Sequence, residues 1–505
     1  MKRRGLLTPM RRGWWCGALV LLAVPGCARE RCPDAACSGL GDDGLSPTTL
    51  ADPSTSESSG LADGADDLRD LPPANPGGCN VDFGCTDKID LLFVIDNSGT
   101  MAEEQLNLAR NFPRLIERLE NLQDAEGNPI HPDVHVLVTT TDMGNPLCTA
   151  HQPDGYSPAK GAPTTTGCNA RIADFTGLGA HPVEVPEACT SVCPTDLAPA
   201  DAFLAFSPNG TNVPEVAPRD IDGDGAPDSA IAQTLACIGP QGIDGCGYEA
   251  QLESMLQALY PDAPWNSGAQ PFLRPDALLA IAIVSDEVEG SVLDYGIMDD
   301  ASLQEVDPDD GSPSPTSAIM WHAGVGCSGP DSNGVYTDCT SRDDGGLQPV
   351  SRYVDYLVGT LREQQHKQVV MLGILGVPEV TDHQDAPPYA PAAGGEFDLV
   401  YRRWRDGDYP TGDILPTDPA GTTAADKTFD FGIGPGCTGQ AQDGSFTGQA
   451  TPNTRVMEVC HSLDFVDEHG TEQVRCCIES ICDDDFSAAI DCLTGIIGHS
   501  LLPPG

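Results

Sequence analysis

Four short apolar runs along the chain alternate with segments whose apolar residues recur at helical spacing. The apolar runs have the length of strands buried on both faces of a sheet. The predicted strands lie near 89–96, 134–141, 277–285 and 368–375, and the predicted helices near 101–121, 248–260 and 351–366. Strands that alternate with helices indicate an α/β fold with a doubly wound, mostly parallel sheet.

Three long stretches without a regular pattern interrupt this alternation. They cover residues 142–245, 287–350 and 378–480. Loops of this length are ordinarily either functional or disordered. Because these stretches contain many of the cysteines, we expect ordered insertions, held by disulfides, within one domain over residues 79–505.

Polar side chains follow two of the predicted strands at their carboxyl ends. Asp96, Ser98 and Thr100 follow the first strand, and Asp286 follows the third. In open α/β sheets, ligands bind at this edge. Carboxylate and hydroxyl oxygens at positions i, i+2 and i+4 suit Mg²⁺, which prefers octahedral ligation by oxygen. The alternative is that these residues only cap the helix predicted at 101–121.

The order of these residues resembles a known family of metal-binding domains. Asp96-x-Ser98-x-Thr100, followed later by Asp286, is similar to the metal-ion-dependent adhesion site (MIDAS) of von Willebrand factor A (VWA) domains. The family motif is D-x-S-x-S, and Thr100 keeps the last hydroxyl. The resemblance implies a VWA or Rossmann-like fold and a bound Mg²⁺. It also implies a protein partner whose own carboxylate completes the ligands of the cation.

One ligand of the family pattern is missing from this chain. The family has a threonine before the helix that precedes the second acidic strand, and this chain has none there. Glu249 is our candidate replacement, and with Asp96 and Asp286 it would favour Ca²⁺ or Mn²⁺. The alternative is that Glu249 lies in the first turn of that helix, where acids complement the helix dipole. We expect the strand-ending threonines at 139–141 to lie elsewhere in the topology.

A second acidic motif is independent of the first. Asp220, Asp222, Asp224 and Asp228 form the pattern D-x-D-x-D-G-x-x-D, with Gly225 at the sixth position. Carboxylates at alternate positions and a glycine for the sharp turn are typical of short loops that bind Ca²⁺. The motif resembles the calcium loops of thrombospondin type 3 repeats, and we expect the ion to stabilise a loop. The alternative is a solvated acidic turn.

The charge of the chain excludes some classes of partner. The 505 residues include 76 acidic and 26 basic residues, which give a formal charge of −50. Such a chain repels nucleic acid and anionic membrane surfaces and attracts cations. G-x-S-x-G and H-E-x-x-H motifs are absent, and the histidines do not cluster at metal-ligand spacing. We therefore expect no enzyme, although a metal-dependent hydrolase stays an alternative.

The amino-terminal residues predict export. Within residues 1–26, basic residues precede an apolar run that is too short to span a membrane. The run ends in Val-Pro-Gly-Cys, which resembles a bacterial lipobox and predicts lipidation at Cys27. The alternative is that the chain is cleaved near Cys27 and secreted as a soluble protein. Residues 27–78 are poor in large apolar side chains and predict a disordered tether. By analogy with enteric lipoproteins, we expect the protein to be located at the outer membrane.

Cysteine usage agrees with export. Loss of Cys16 with the signal and lipidation of Cys27 leave 18 of the 20 cysteines. An even number in an oxidising compartment predicts disulfides. Near neighbours that could close short loops are the pairs Cys189/Cys193, Cys237/Cys246 and Cys327/Cys339. The adjacent residues Cys476 and Cys477 are expected to take different partners.

Over residues 79–505 the chain resembles exported VWA lipoproteins of the myxobacterial, delta-proteobacterial type. This resemblance implies a protein anchored to the membrane by lipid that binds another protein in a metal-dependent manner. It implies no nucleic-acid partner. A structural protein of the cell envelope, whose cation only stabilises the fold, is the main alternative.

Overall fold

The computed structural model describes residues 87–501, apart from residues 124–126, 128, 154, 178–182, 442–443 and 468. The predicted signal segment, the tether and Cys27 therefore lie outside the described residues. Within the described part of the chain, no helix is both long enough and apolar enough to cross a membrane.

A seven-stranded sheet lies at the centre of the described chain. Its strands are β1 (Lys88–Ile95), β2 (Asp133–Thr140), β3 (Leu204–Ser207), β4 (Gly210–Thr211), β5 (Leu278–Val284), β6 (Val369–Leu375) and β7 (Cys476–Ser480). Their order across the sheet is β7-β6-β5-β1-β2-β3-β4. The first five strands in this order pair in parallel, and β3 and β4 pair antiparallel at one edge. The prediction of an α/β fold with a mostly parallel sheet is confirmed.

Strand β1 shows why the parallel strands appear in the sequence as continuous runs of apolar residues. Seven of its eight residues are buried. Successive side chains of a strand point to opposite faces, so Leu91 and Phe93 enter one hydrophobic core while Leu92 and Val94 enter another. Because both faces are covered, no position on the strand favours a polar residue for solvent contact.

Helices cover the two faces of the sheet. The α-helices are α1 (Ala102–Glu120), α2 (Glu187–Thr190), α3 (Ala230–Ile238), α4 (Gln251–Ala258), α5 (Ala318–Gly324), α6 (Val350–Val354), α7 (Ala424–Phe431), α8 (Thr454–His461) and α9 (Ser487–Ser500). Helix α6 continues as a π-helix over Asp355–Gln364. Apolar residues of α1, α3 and α9 belong to the first core, and those of α4 and α8 belong to the second. Helices therefore pack on both faces of the sheet, as in a doubly wound fold.

The three long segments contain short elements of their own. Short 3₁₀-helices lie within them at Cys168–Phe175, Tyr295–Asp299 and Gly395–Asp398, and a further one lies outside them at Pro264–Asn266. Antiparallel pairs of strands join Glu305–Val306 to Pro313–Ser314, Val325–Ser328 to Thr337–Ser341, Val380–His383 to Pro391–Gly394, Cys437–Gln440 to Phe446–Ala450 and Phe465–Val466 to Glu472–Gln473. The segments predicted to be irregular therefore contain hairpins and short helices, connected by longer stretches of turns and coil.

Two of these segments also contribute strands to the central sheet, which the sequence pattern did not predict. Residues 142–245 supply β3 and β4, and residues 378–480 supply β7. Strand β7 has five residues, two of them cysteines, and its strand conformation depends on pairing with β6. A pattern read along the chain does not contain that distant contact.

Seven disulfides join the described cysteines. They are Cys148–Cys246, Cys168–Cys189, Cys193–Cys237, Cys327–Cys339, Cys437–Cys482, Cys460–Cys476 and Cys477–Cys492. The predicted Cys327/Cys339 pair is confirmed, and the adjacent Cys476 and Cys477 do take different partners.

The other two predicted cysteine pairs, Cys189/Cys193 and Cys237/Cys246, are wrong. Cys189 bonds to Cys168, Cys193 bonds to Cys237, and Cys246 bonds to Cys148. Cys189 and Cys193 lie one helical turn apart, and both enter a small core that also contains Cys168 and Cys237. The pairing therefore follows the packing of this core and not the distance along the chain.

A buried ion pair connects α8 to the segment 287–350. Arg455 is 1% exposed, and its Nε donates to Glu289 Oε2 at 2.9 Å. Its Nη1 donates to the backbone carbonyls of Gly324 and Arg342 at 3.3 and 2.9 Å. Burial of a charge is tolerated here because the guanidinium has several acceptors as well as a charged partner.

Replacement of Arg455 by methionine is expected to lower the free energy of unfolding by about 3–5 kcal/mol, because Glu289 then keeps a buried charge without a charged partner. The control is Arg118→Met, which breaks the exposed ion pair with Asp491 and is expected to cost about 0–1 kcal/mol. Urea unfolding of the oxidised proteins measures both effects. Equal losses in the two variants would contradict the structural role of Arg455.

Candidate metal centre

The in-register pairing of parallel strands brings the ends of β1, β2 and β5 together. Ile95 pairs with Thr140 on β2 and with Val284 on β5. The next residues continue this register, since the Asp96 N–H donates to Val284 O at 2.9 Å and the Thr141 N–H donates to Ile95 O at 3.2 Å. Residues that follow three neighbouring strands therefore lie side by side at the edge where open α/β sheets bind ligands.

The Asp96 motif forms a compact hydrogen-bonded turn. Asp96 and Ser98 are buried, and Thr100 is exposed at the rim. Asp96 Oδ1 accepts from the Ser98 N–H at 2.8 Å, and Oδ2 accepts from the Ser285 hydroxyl at 2.6 Å. The hydroxyls of Ser98 and Thr100 lie 3.0 Å apart. Helix α1 has no side-chain cap, so the alternative that these residues only cap this helix is wrong.

Two consecutive acids follow β5. Asp286 is buried, and within the described residues its Oδ1 has no hydrogen-bond partner. Glu287 Oε1 accepts from the Thr100 hydroxyl at 3.3 Å. The structure thus brings Asp286 to the Asp96 motif, as the sequence predicts. Glu287 was missed, although its position directly after Asp286 was an available signal.

Glu249 and Thr141 meet on the other side of the motif. Glu249 is fully buried, and its Oε2 accepts a hydrogen bond from the Thr141 hydroxyl. Helix α4 begins at Gln251, so the alternative that places Glu249 in the first helical turn is wrong. The expectation that the threonines at 139–141 lie elsewhere is also wrong for Thr141, because β2 pairs directly with β1 and ends beside it.

Glu104, in the first turn of α1, is a further buried acid that the sequence analysis missed. Both of its carboxylate oxygens lack a hydrogen-bond partner among the described residues. A side chain at position 448 would collide with this carboxylate, so Gly448 allows the strand Phe446–Ala450 to pack directly over it. Its position four residues after Thr100 was a weak signal, since acids are common in the first turn of any helix.

These five carboxyl groups share one electrostatic environment. Burial is the main cause that raises each pKa, to about 6 for Asp96. In Glu104, Glu249, Asp286 and Glu287, neighbouring carboxyl groups raise the pKa further. Across the described chain, the ion pairs of lysine, arginine and histidine all involve other acids. The negative charge is therefore not balanced by a basic side chain.

A divalent cation fits the chemistry of this site. Oxygen atoms are the ligands that Mg²⁺ and Ca²⁺ prefer, and Asp286 Oδ1, Glu249 Oε1 and both Glu104 oxygens have no other partner. An unsatisfied buried polar atom costs about 1–3 kcal/mol, which a bound cation would offset. Three acidic groups do not converge within 4.8 Å here among the described residues. The ligand set would therefore combine carboxylates with hydroxyls.

The predicted calcium loop lies on the surface. Carboxylate oxygens of Asp220, Asp222 and Asp224 lie within 4.8 Å of one another, and all three residues are exposed. Asp228 is not part of this group, and its Oδ2 accepts from the Ile221 N–H at 2.6 Å. Gly225 has a φ of +92°, a conformation that favours glycine. Three of the four predicted ligands therefore lie close to one another, and calcium binding by the loop stays a prediction.

Comparison with known proteins does not assign the chain to a family. No model of a known protein family matches the chain, and a search of curated proteins gives no significant match. The fold and the geometry of the site are therefore the basis for any statement about function.

Proposed function

We propose that the protein is an exported, lipid-anchored protein of the cell envelope whose VWA-like domain binds a divalent cation. Through this cation it mediates metal-dependent adhesion or protein–protein interaction. The observation that carries the proposal is the group of buried carboxyls at the carboxyl edge of the sheet, several of whose oxygens have no hydrogen-bond partner among the described residues. The mostly parallel sheet around this group supports a VWA-like arrangement.

Asp96, Ser98, Thr100 and Asp286 would hold the cation, and Glu249 would take the place of the threonine that the family uses. Mg²⁺ is the first candidate, and a third carboxylate would favour Mn²⁺ or Ca²⁺. The bound cation supplies a positive centre to which a carboxylate of a protein partner can bind. Among the motif residues only Thr100 is exposed, so we expect the partner to approach from its side.

The Asp96→Ala variant is expected to fold and to lose cation binding, because it removes the central carboxylate of the motif. Isothermal titration calorimetry with Mg²⁺ and Mn²⁺ measures this loss. The Asp96→Ala protein and the parent protein with which it is compared both carry Asp222→Ala and Asp224→Ala, so that cation binding by the surface loop does not contribute to the measured heat. Asp491→Ala, an acid from an exposed ion pair, is the control and should keep full affinity. Unchanged affinity in Asp96→Ala would overturn the proposed site.

An array of synthetic peptides and purified envelope proteins distinguishes the classes of function. Capture in Mg²⁺ that is lost in EDTA supports adhesion or protein binding. Turnover of an array member would favour a metal-dependent hydrolase. Cation binding without capture or turnover would favour a structural protein whose cation only stabilises the fold.

We also propose that the loop at Asp220, Asp222, Asp224 and Asp228 binds Ca²⁺ and stabilises the insertion around it. The three exposed carboxylates that converge there support the proposal. Asp228 would contribute through its hydrogen bond to the loop backbone, or as a ligand if that bond is exchanged.

Calcium is therefore expected to raise the melting temperature of the wild type. A ligand that binds only the native state stabilises it by about 2.7 kcal/mol at a hundredfold excess over Kd. The shift should be smaller in the Asp222→Ala, Asp224→Ala variant, and the exposed Asp276→Ala variant serves as the control. Differential scanning calorimetry with and without Ca²⁺ measures these melting temperatures. Equal shifts in all three proteins would show that the motif is only a solvated turn.

For the location, we expect Cys27 to carry the lipid and the remaining cysteines to be oxidised. Mass spectrometry should find a diacylglyceryl addition on the amino-terminal peptide and almost no free thiol before reduction. The Cys27→Ser variant should accumulate as an unanchored export product or as an uncleaved precursor. An unmodified amino terminus at Cys27 in the wild type would contradict the anchor.

A further inference from the structure

A buried amide is linked to the Asp96 motif through one hydroxyl group. Gln251 is the first residue of α4 and is fully buried. Its Nε2 donates to the hydroxyl of Ser285 at 2.7 Å and to the backbone carbonyl of Glu287 at 3.3 Å. A backbone carbonyl can only accept a hydrogen bond, so the nitrogen of the amide must be the atom that faces Glu287. The donor half of Gln251 is therefore also the half that contacts Ser285.

The hydrogen bonds of Ser285 fix the direction of its hydroxyl. A hydroxyl has one hydrogen and two lone pairs. The Ser285 oxygen accepts from Gln251 Nε2 and, at 3.2 Å, from the Glu287 N–H, so both lone pairs are used. For its hydrogen, Asp96 Oδ2 at 2.6 Å is a closer and stronger acceptor than the carbonyl of Glu287 at 3.4 Å. The hydroxyl therefore donates to Asp96.

These contacts hold the Asp96 carboxylate at both of its oxygens. Oδ2 accepts from Ser285, and Oδ1 accepts from the Ser98 N–H at 2.8 Å. The backbone is held as well, since Gln105 Nε2 donates to the Asp96 carbonyl at 2.8 Å. A carboxylate with one donor on each oxygen cannot rotate without breaking a buried hydrogen bond, yet each oxygen keeps a lone pair for a cation. Asp96 is therefore presented in one fixed orientation.

Gln251 is poorly suited to a role in stability alone. Its other amide atom, Oε1, has no hydrogen-bond partner among the described residues, and an unsatisfied buried acceptor destabilises the folded state. The carbonyl of Glu287 does not depend on Gln251, because Asn453 Nδ2 donates to it at 2.8 Å. An apolar residue of the same size would avoid the cost of burying this amide. The contact that gives the amide a use is therefore the one with Ser285.

We infer that Gln251, acting through Ser285, positions Asp96 and thereby raises the affinity of the strand-end site for Mg²⁺ relative to Ca²⁺. The inference rests on the proposed cation site. Mg²⁺ requires near-ideal octahedral geometry, whereas Ca²⁺ accepts more ligands in flexible arrangements. A carboxylate held in one orientation meets the requirement of Mg²⁺, and Ca²⁺ tolerates a carboxylate that can rotate. Gln251 and Ser285 are thus positioning residues, because the effect needs no contact between them and the cation.

The test measures the affinities for Mg²⁺ and for Ca²⁺ by isothermal titration calorimetry, with each cation alone. All proteins are the full mature chain with Asp222→Ala and Asp224→Ala, so that the surface loop does not contribute. Gln251→Met keeps the length of the side chain and removes the donor, and Ser285→Ala removes the hydroxyl. Each should weaken Mg²⁺ binding by about tenfold to a hundredfold, as loss of a group that orients a metal ligand does. Each should weaken Ca²⁺ binding clearly less.

A double variant and a matched control complete the design. Because Gln251 acts through Ser285, Gln251→Met should weaken Mg²⁺ binding little further once Ser285→Ala is present. The control is Gln233→Met, which removes another buried amide whose Nε2 donates to the carbonyls of Ala217 and Asp228, and it should keep both affinities. Circular dichroism verifies folding, and Ser285→Ala, the smallest change, decides the test if Gln251→Met does not fold.

The outcomes separate the inference from the proposed function. Unchanged Mg²⁺ affinity in Asp96→Ala, in the same background, would overturn the proposed function and the inference with it. If Asp96→Ala loses Mg²⁺ while Gln251→Met and Ser285→Ala keep it, the inference alone is wrong. Equal losses for Mg²⁺ and Ca²⁺ would show a purely structural role. Additive losses in the double variant would show that Gln251 does not act through Ser285, and either result contradicts the inference.

Discussion

The parallel register of β1 with β2 and β5 is the constraint on which the candidate site depends. Because Ile95 lies level with Thr140 and Val284, the polar residues that follow the three strands are brought to one edge. A register shift of one residue would turn side chains of β1 to the opposite face of the sheet. The two hydrophobic cores on either side hold this register, and so they position the carboxylates.

Burial gives the two acidic sites of this protein different chemistry. At the strand ends the carboxyls have lost their hydration, which raises the pKa of Asp96 and Asp286. A cation there would bind carboxylates that are already separated from bulk water. The aspartates of the surface loop are exposed, so a cation there competes with bulk water for them. In the proposed function, a cation at the strand ends binds a ligand, whereas one in the loop stabilises the insertion around it.

The long segment 378–480 has a direct part in the site. Its hairpin packs over the Glu104 carboxylate through Gly448, and its aromatic and basic residues form a wall of the cavity beside Thr100. The same segment supplies β7 to the sheet and is crosslinked by disulfides. A site that the strand ends alone would leave open is thereby narrowed to a small cavity.

The sequence by itself determined the elements whose residues carry a local pattern. The strands β1, β2, β5 and β6 and the helix α1 were predictable because buried parallel strands are continuous apolar runs and helices repeat their apolar residues. Asp96 and Asp286 were predictable as a pair because each directly follows such a run. Only the tertiary structure decided that Thr141 contacts Glu249, that Glu104 lies near Asp286 and Asp96 with no hydrogen-bond partner among the described residues, and how most of the cysteines pair. These contacts depend on which strands are neighbours and on segments that return from far along the chain, and neither is encoded in a local pattern.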